Sequence, residues 1–225
     1  MRFFETLTVV NYYNLFLAGI SITLRIAFLG FGIALVTGLI ICFARLSNNS
    51  LINTIGNLSI QLSRNTPILV SLVWVFYALP QIIPINYGAM VAAVIAIAIQ
   101  ATGYQSEVYR GGIQSIEEGQ MMAAKALGMP YFLAMRRIIL PQAFRRIVPP
   151  TVNTFSTSLK STSIVSVIAA PDLMYQAQRL TSQLYKPMEI YTTAAIIYIF
   201  LVGFTSYLAD WLDRTVKAGE SRAEV

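Results

Sequence analysis

Lys160 sits in the run NTFSTSLKSTS, residues 153–163, with Asn153, Ser156, Ser158, Ser161 and Ser163 around it. An ammonium ringed by hydroxyls and an amide can meet a carboxylate. Two uses are open: the lysine lines a path for a carboxylate-bearing solute, or it closes an ion pair within a helix-packing face. Gln100, Thr102, Gln105 and Glu107 polarise a second stretch in the same way. Glu107 and Arg110, three apart, suit a structural pair on one helix face. Other chemistries are excluded. The chain has no His, so His-based acid–base and triad catalysis are out. One cysteine, Cys42, in an apolar tract, supports neither a disulfide framework nor a cysteine metal site. No glycine-rich phosphate loop occurs, so the chain does not hydrolyse ATP by itself.

Apolar elements must position these groups. The chain is 56% hydrophobic and 12% charged, with mean hydropathy +0.63. Soluble domains carry roughly 25% charged residues, so the solvent here is lipid. No Asp, Glu, Lys or Arg occurs over 26–44, 65–106 or 190–209. A span needs about 20 mainly apolar residues, so these tracts supply one, two and one. The 65–106 tract must fold back, at the turn formers Pro80, Pro84, Asn86 and Gly88. The expectation is an all-α integral membrane protein with five transmembrane helices. They lie near 15–44, 62–80, 88–108, 148–170 (which carries Lys160) and 189–210. Arg25, near the start of the first, snorkels outward. No internal repeat or linker is read, so residues 1–225 form a single domain. The opening Met-Arg-Phe-Phe-Glu lacks the pattern of a cleaved signal, and the first span is expected to stay.

Basic residues decide the orientation. Alternate loops and the tail hold eleven, namely Arg45, Arg64, Arg110, Lys125, Arg136, Arg137, Arg145, Arg146, Arg214, Lys217 and Arg222. The others hold two, Arg179 and Lys186. The N-terminus is therefore expected outside and the C-terminus in the cytoplasm. The formal charge of +6 gathers in loops beside spans, which is a topological signature and not a nucleic-acid surface.

That topology places a polar, interrupted insert in the cytoplasm between spans three and four. Within it, 120–127 is a good helix former, Gly128 suits the C-cap, and Pro130 opens a second short helix over about 131–140 that ends before Pro141. Ala124 and Gly128, four apart, leave a shallow face for another protein's backbone. Met121, Met122 and Leu127 add soft apolar knobs. A helical hairpin lying on the membrane surface is the other reading of the same residues.

The stretch AAKALGMPYFLAMRRIILP, residues 123–141, resembles the EAA loop of the transmembrane subunits of bacterial ABC importers. That pattern is Glu-Ala-Ala, three residues, Gly, nine residues, then Ile-x-Leu-Pro. Here Ala123, Ala124, Gly128, Ile138, Leu140 and Pro141 keep the spacing, while Met122 stands where the pattern has Glu. Thr23-Leu24, Arg64-Asn65-Thr66-Pro67, 107–113, Gln142-Ala143 and 160–163 are similar to the polar amino acid uptake subfamily, and the likeness covers about 12–215.

The resemblance implies a permease subunit of an ATP-driven importer for polar amino acids or related solutes, in the bacterial inner membrane. It would dimerise with a second permease subunit, identical or different, and receive solute from an extracytoplasmic binding protein. ATPase subunits, which hold ATP and Mg, would dock on a coupling loop at about 111–146. Met122, Ala123, Ala124, Leu127, Gly128, Ile138, Leu140 and Pro141 would form the docking set. Glu117 and Glu118, a turn earlier, could partly replace the missing acidic group. Gln100, Asn153, Ser158, Lys160 and Ser163 are the substrate-path candidates. A partner-independent channel or carrier is the alternative, and a carrier would show internal repeats with broken helices at matching positions. A membrane scaffold would not need polar residues at depth.

Overall fold

The structure, a computed structural model, describes the backbone over residues 11–221 and side chains through 216. The opening residues read for a signal, and the tail residues Lys217 and Arg222, lie outside what can be described of side chains or chain. Every regular element in the described residues is helical. In order they are α1 (Tyr13–Arg45), α2 (Ser50–Asn65), α3 (Ile68–Val73), α4 (Leu79–Ile82), α5 (Ala89–Gln114), α6 (Glu118–Ala126), α7 (Tyr131–Ala134), α8 (Leu140–Ser161), α9 (Leu173–Leu184) and α10 (Pro187–Ser221). One π turn (Trp74–Ala78) joins α3 to α4, another (Met135–Ile139) joins α7 to α8, and a 3₁₀ stretch (Thr162–Ile168) extends α8.

Among the described residues three helices are long and apolar enough to cross a bilayer, α1, α5 and α10 over Pro187–Val216, or four if the bent pair Ser50–Asn65 and Ile68–Ile82 is one crossing. The second span is drawn differently from the expected 62–80. Residues 50–61, expected as loop, join 62–65 in α2, because Asn49 caps it by accepting from the N–H of Leu51 and Ile52 at 3.0 and 3.4 Å. Its break comes at Thr66-Pro67. A residue before proline is pushed out of the helical region, and Thr66 is extended at ψ 124°. The chain turns there by 103° before Ile68–Ile82.

Two prolines expected to end helices do not. The short helix expected to stop before Pro141 runs on through it into α8. In an α-helical ladder Pro141 would lose its hydrogen bond and press its ring on the carbonyl four residues back. A π turn relieves this: the Leu140 N–H donates five residues back, to Met135, and the widened turn takes the proline. Gln142 Nε2 donates to the Ile138 carbonyl at 2.9 Å. The same device stands at Leu79-Pro80-Gln81. There Leu79 N–H reaches Trp74, Gln81 Nε2 reaches Tyr77 at 3.1 Å, and the Tyr87 hydroxyl donates to the Val75 carbonyl. Leu-Pro-Gln with a preceding π turn is thus a short repeat that the sequence reading passed over.

The expected fourth span, 148–170, also changes. The α-helix stops at Ser161, tightens to 3₁₀, and reverses at Ala169, which is left-handed at φ 56°. The following α9 was not foreseen. Asp172 caps it, accepting from the Tyr175 N–H at 2.9 Å and from the Tyr198 hydroxyl of α10 at 3.2 Å. The Leu173 N–H donates to Thr23 Oγ1 of α1 at 3.1 Å. Gly19 makes this possible, since a Cβ there would stand 2.8 Å from the Leu173 Cα.

The central packing is α1 on α5 through small residues, which let helix backbones approach without a hydrophobic drive between them. Gly30 meets Ile97, and Ala34 packs with Ala101. Around this seam Ile26, Leu72, Val75, Ala93, Ala96, Val165 and Ile168 form the main buried cluster.

Candidate functional site

Two regions carry the residues singled out from the sequence. The first is the loop of α6 and α7. Gly128 sits at φ 73°, which glycine adopts without the Cβ penalty. It closes α6 with a Schellman pair: Gly128 N–H donates to Lys125 at 2.9 Å and Met129 N–H to Ala124 at 3.0 Å. Pro130 is the N-cap of α7 instead of its first residue.

The cap splits the predicted docking set in two. Ala124 is buried, and Met121 and Ile138 pack onto Ile116, Ile139 and Ala143. Met122, Ala123, Leu127 and Gly128 are exposed, Leu127 to 81%. Beside them stand Tyr131 and Phe132, 62% and 75% exposed, which the sequence reading had not nominated. Their signal was an aromatic pair directly after a helix-opening proline. Leu140 and Pro141 lie apart from this patch, in a cleft with Phe43 and Phe144. Glu118 lies in the first turn of α6, where a carboxylate complements the helix dipole, and Glu117 is its N-cap residue with no side-chain capping bond.

The second region is the polar face of α8. Asn153, Thr157 and Lys160 are exposed at spacings of four and three, so they line one stripe. Ser163 lies just beyond, its hydroxyl donating to the Lys160 carbonyl at 2.9 Å. Ser158 turns the other way, buried, and donates to the Thr154 carbonyl at 3.0 Å. Ser156 is likewise interior, 3.0 Å from Thr205 Oγ1 of α10. Phe155 packs on Phe28 and Phe31 of α1, with ring centroids at 4.9 and 5.4 Å.

Lys160 has no carboxylate partner among the described residues. Glu107, the candidate for that pairing, holds Arg110 at 2.7 Å as expected, and also Arg45 at the end of α1. Gln100 is half-buried on α5. Gln105, wholly buried, donates from Nε2 to Thr151 Oγ1 at 2.9 Å, while its Oε1 has no partner. Thr37 and Thr102 join α1 to α5 through hydroxyls 2.6 Å apart. No three His, Cys, Asp or Glu side chains among the described residues gather where a metal could be held.

Residues 30–218 match the family described as binding-protein-dependent transport system inner membrane component. The chain belongs to that family. As an inner membrane component it is a transport subunit and not an enzyme. It is 34% identical to the putative glutamine transport system permease protein of Rickettsia typhi, over 87% of this chain and 90% of that one. The arginine transport system permease protein of Bacillus subtilis is 33% identical, over 91% and 93%. Among solved structures, an amino acid ABC transporter crystallised with histidines superposes with a TM-score of 0.89 at 36% identity. That superposition covers 94% of this inner membrane component and 99% of its counterpart.

Proposed function

We propose that the chain is the permease subunit of an ATP-driven importer, and that its solutes are polar amino acids recognised partly through their carboxylate. The observation that carries the carboxylate is Lys160, an ammonium without a carboxylate partner among the described residues, on an exposed stripe with Asn153 and Thr157. Relatives bear the names of glutamine and arginine systems, and the solved counterpart holds histidines. Their side chains differ in charge, and the α-carboxylate is common to all three. Gln100 and Ser163 belong to the same path, with Ser158 supporting it from the buried side.

In this reading residues 1–225 form one domain that crosses the inner membrane five times. The crossings are α1, α3 with α4, α5, α8 with its 3₁₀ extension, and α10. The N-terminus is outside, the C-terminus in the cytoplasm, and the coupling loop spans about 111–146. Two ATPase subunits, which bring ATP and Mg, dock on Met122, Ala123, Leu127 and Gly128, extended by Tyr131 and Phe132. Ala124, Ile138, Leu140 and Pro141 hold that surface in place. A second permease subunit completes the path, and an extracytoplasmic binding protein delivers the solute.

Uptake tests the function. Proteoliposomes holding the chain, its ATPase and its binding protein should take up labelled glutamine only with ATP on the ATPase side, and unlabelled arginine or histidine should compete. Equal uptake without the ATPase would mean a channel or carrier. Orientation is tested separately by thiol labelling in cells, after Cys42→Ala. Ile85→Cys should react with an impermeant maleimide from outside, and Lys125→Cys only after permeabilisation. The opposite pattern inverts the topology.

A further inference from the structure

We propose that the cleft between α1, α5 and α8 is a binding site for one phospholipid with an anionic headgroup, its phosphate seated on Arg136. The cleft encloses about 500 Å³. Its walls are Leu39 and Phe43 of α1, Ile113 of α5, and Phe144 and Ile147 of α8. Arg136 is the one charged side chain that lines it. Tyr109, also on the wall, donates its hydroxyl to the Leu35 carbonyl at 3.1 Å, so that donor is spent within the protein. Arg136 is exposed and enters no ion pair among the described residues.

The geometry separates the two ends of a lipid. Leu39 and Phe43 continue into the exposed apolar side of α1, where Val36 and Ile40 are 63% and 62% exposed. An acyl chain therefore passes from the bilayer into the cleft without crossing a polar surface. On its wall the exposed Arg136 guanidinium presents paired N–H donors, which match phosphate oxygens. Arg137, exposed at the next position, adds a second positive charge nearby. A zwitterionic headgroup would bring its own cation against these arginines, and an anionic one would not. Basic pockets between transmembrane helices bind anionic headgroups for this reason.

Placing the site in the inner leaflet rests on the orientation proposed above; the headgroup preference does not. The test uses the full-length chain with Trp74→Phe, Trp211→Phe and Phe43→Trp, in nanodiscs whose two leaflets have the same composition. The result is then independent of topology. Brominated phosphatidylglycerol should half-quench the new tryptophan at a mole fraction about fivefold below that of brominated phosphatidylcholine. Arg136→Ala should remove the preference, and Arg137→Ala should leave most of it. A reference chain with Phe200→Trp instead, on the exposed face of α10, should be quenched equally by both lipids and reports that the protein is inserted. Equal quenching of the cleft probe by both lipids would overturn the proposal, as would a preference that survives Arg136→Ala. Failure of either lipid to quench it would show that a protein face covers the cleft, and would overturn the proposal too.

Discussion

Gly128→Glu is expected to lower the ATPase recovered with the chain at least about tenfold, a loss of about 1.4 kcal/mol in binding. The chain's own fold should survive, because a Cβ at 128 meets nothing within 4 Å. A new carboxylate would therefore project from the exposed patch of Met122, Leu127, Tyr131 and Phe132 into whatever docks there. The substitution also places an L-residue at φ 73°, which strains the cap by roughly 1–2 kcal/mol. Gly128→Asn separates the two effects, since Asn tolerates the left-handed region and brings no charge. It should keep most of the ATPase. Recovery would be measured by affinity purification from membranes, with detergent-solubilised chain yield as the folding control. Full recovery with Gly128→Glu would remove this patch from the docking surface.

Lys160→Gln should reduce solute uptake at least about tenfold, equivalent to about 1.4 kcal/mol, while the complex assembles normally. A lysine near the middle of a span costs about 2.5–3.5 kcal/mol on insertion scales, which a packing position would avoid with Leu. An ion pair with Glu107 would have explained it without a solute, but that carboxylate is taken by Arg45 and Arg110. Gln roughly matches the length and loses the charge. Vesicle uptake, complex yield and thermal stability belong on one preparation. If yield and stability fall with uptake, Lys160 is structural. Unchanged uptake would show that it lines no path.

Features with a one-dimensional signature were legible in the sequence. The uncharged tracts located α1, α5 and α10, the glycine at 128 gave the C-cap, and the spacing of Glu107 and Arg110 gave their pair. What escaped needed a partner distant in the chain or a compensating backbone. The amphipathic α2, with Leu51, Ile55, Leu58 and Leu62 exposed, carries no charge before Arg64 but is too rich in Asn, Ser and Gln to read as a span, although Asn49 stands ready as its cap. Pro141 looked like a stop because nothing local announces the π turn that admits it. Asp172, Thr23 and Gly19 meet only after the chain reverses at Ala169, so no spacing could join them. On the site side, the polar run around Lys160 was legible as composition, but the exposed stripe of Asn153, Thr157 and Lys160, and its division from the buried Ser156 and Ser158, required the helix phase.

The π turn at Met135–Ile139 governs azimuth as well as admitting a proline. The buried side chains from α7 into α8 are Ala134, Ile139 and Ala143, a step of five followed by a step of four. In an unbroken α-helix the first step would fall at 138, and each residue of slippage would swing everything beyond it by about 100°. The extra residue is absorbed inside the turn. Residues 131–161 therefore wind as though one residue shorter, so Tyr131 and Phe132 at one end and Lys160 at the other stay on the bearings that the buried seam dictates.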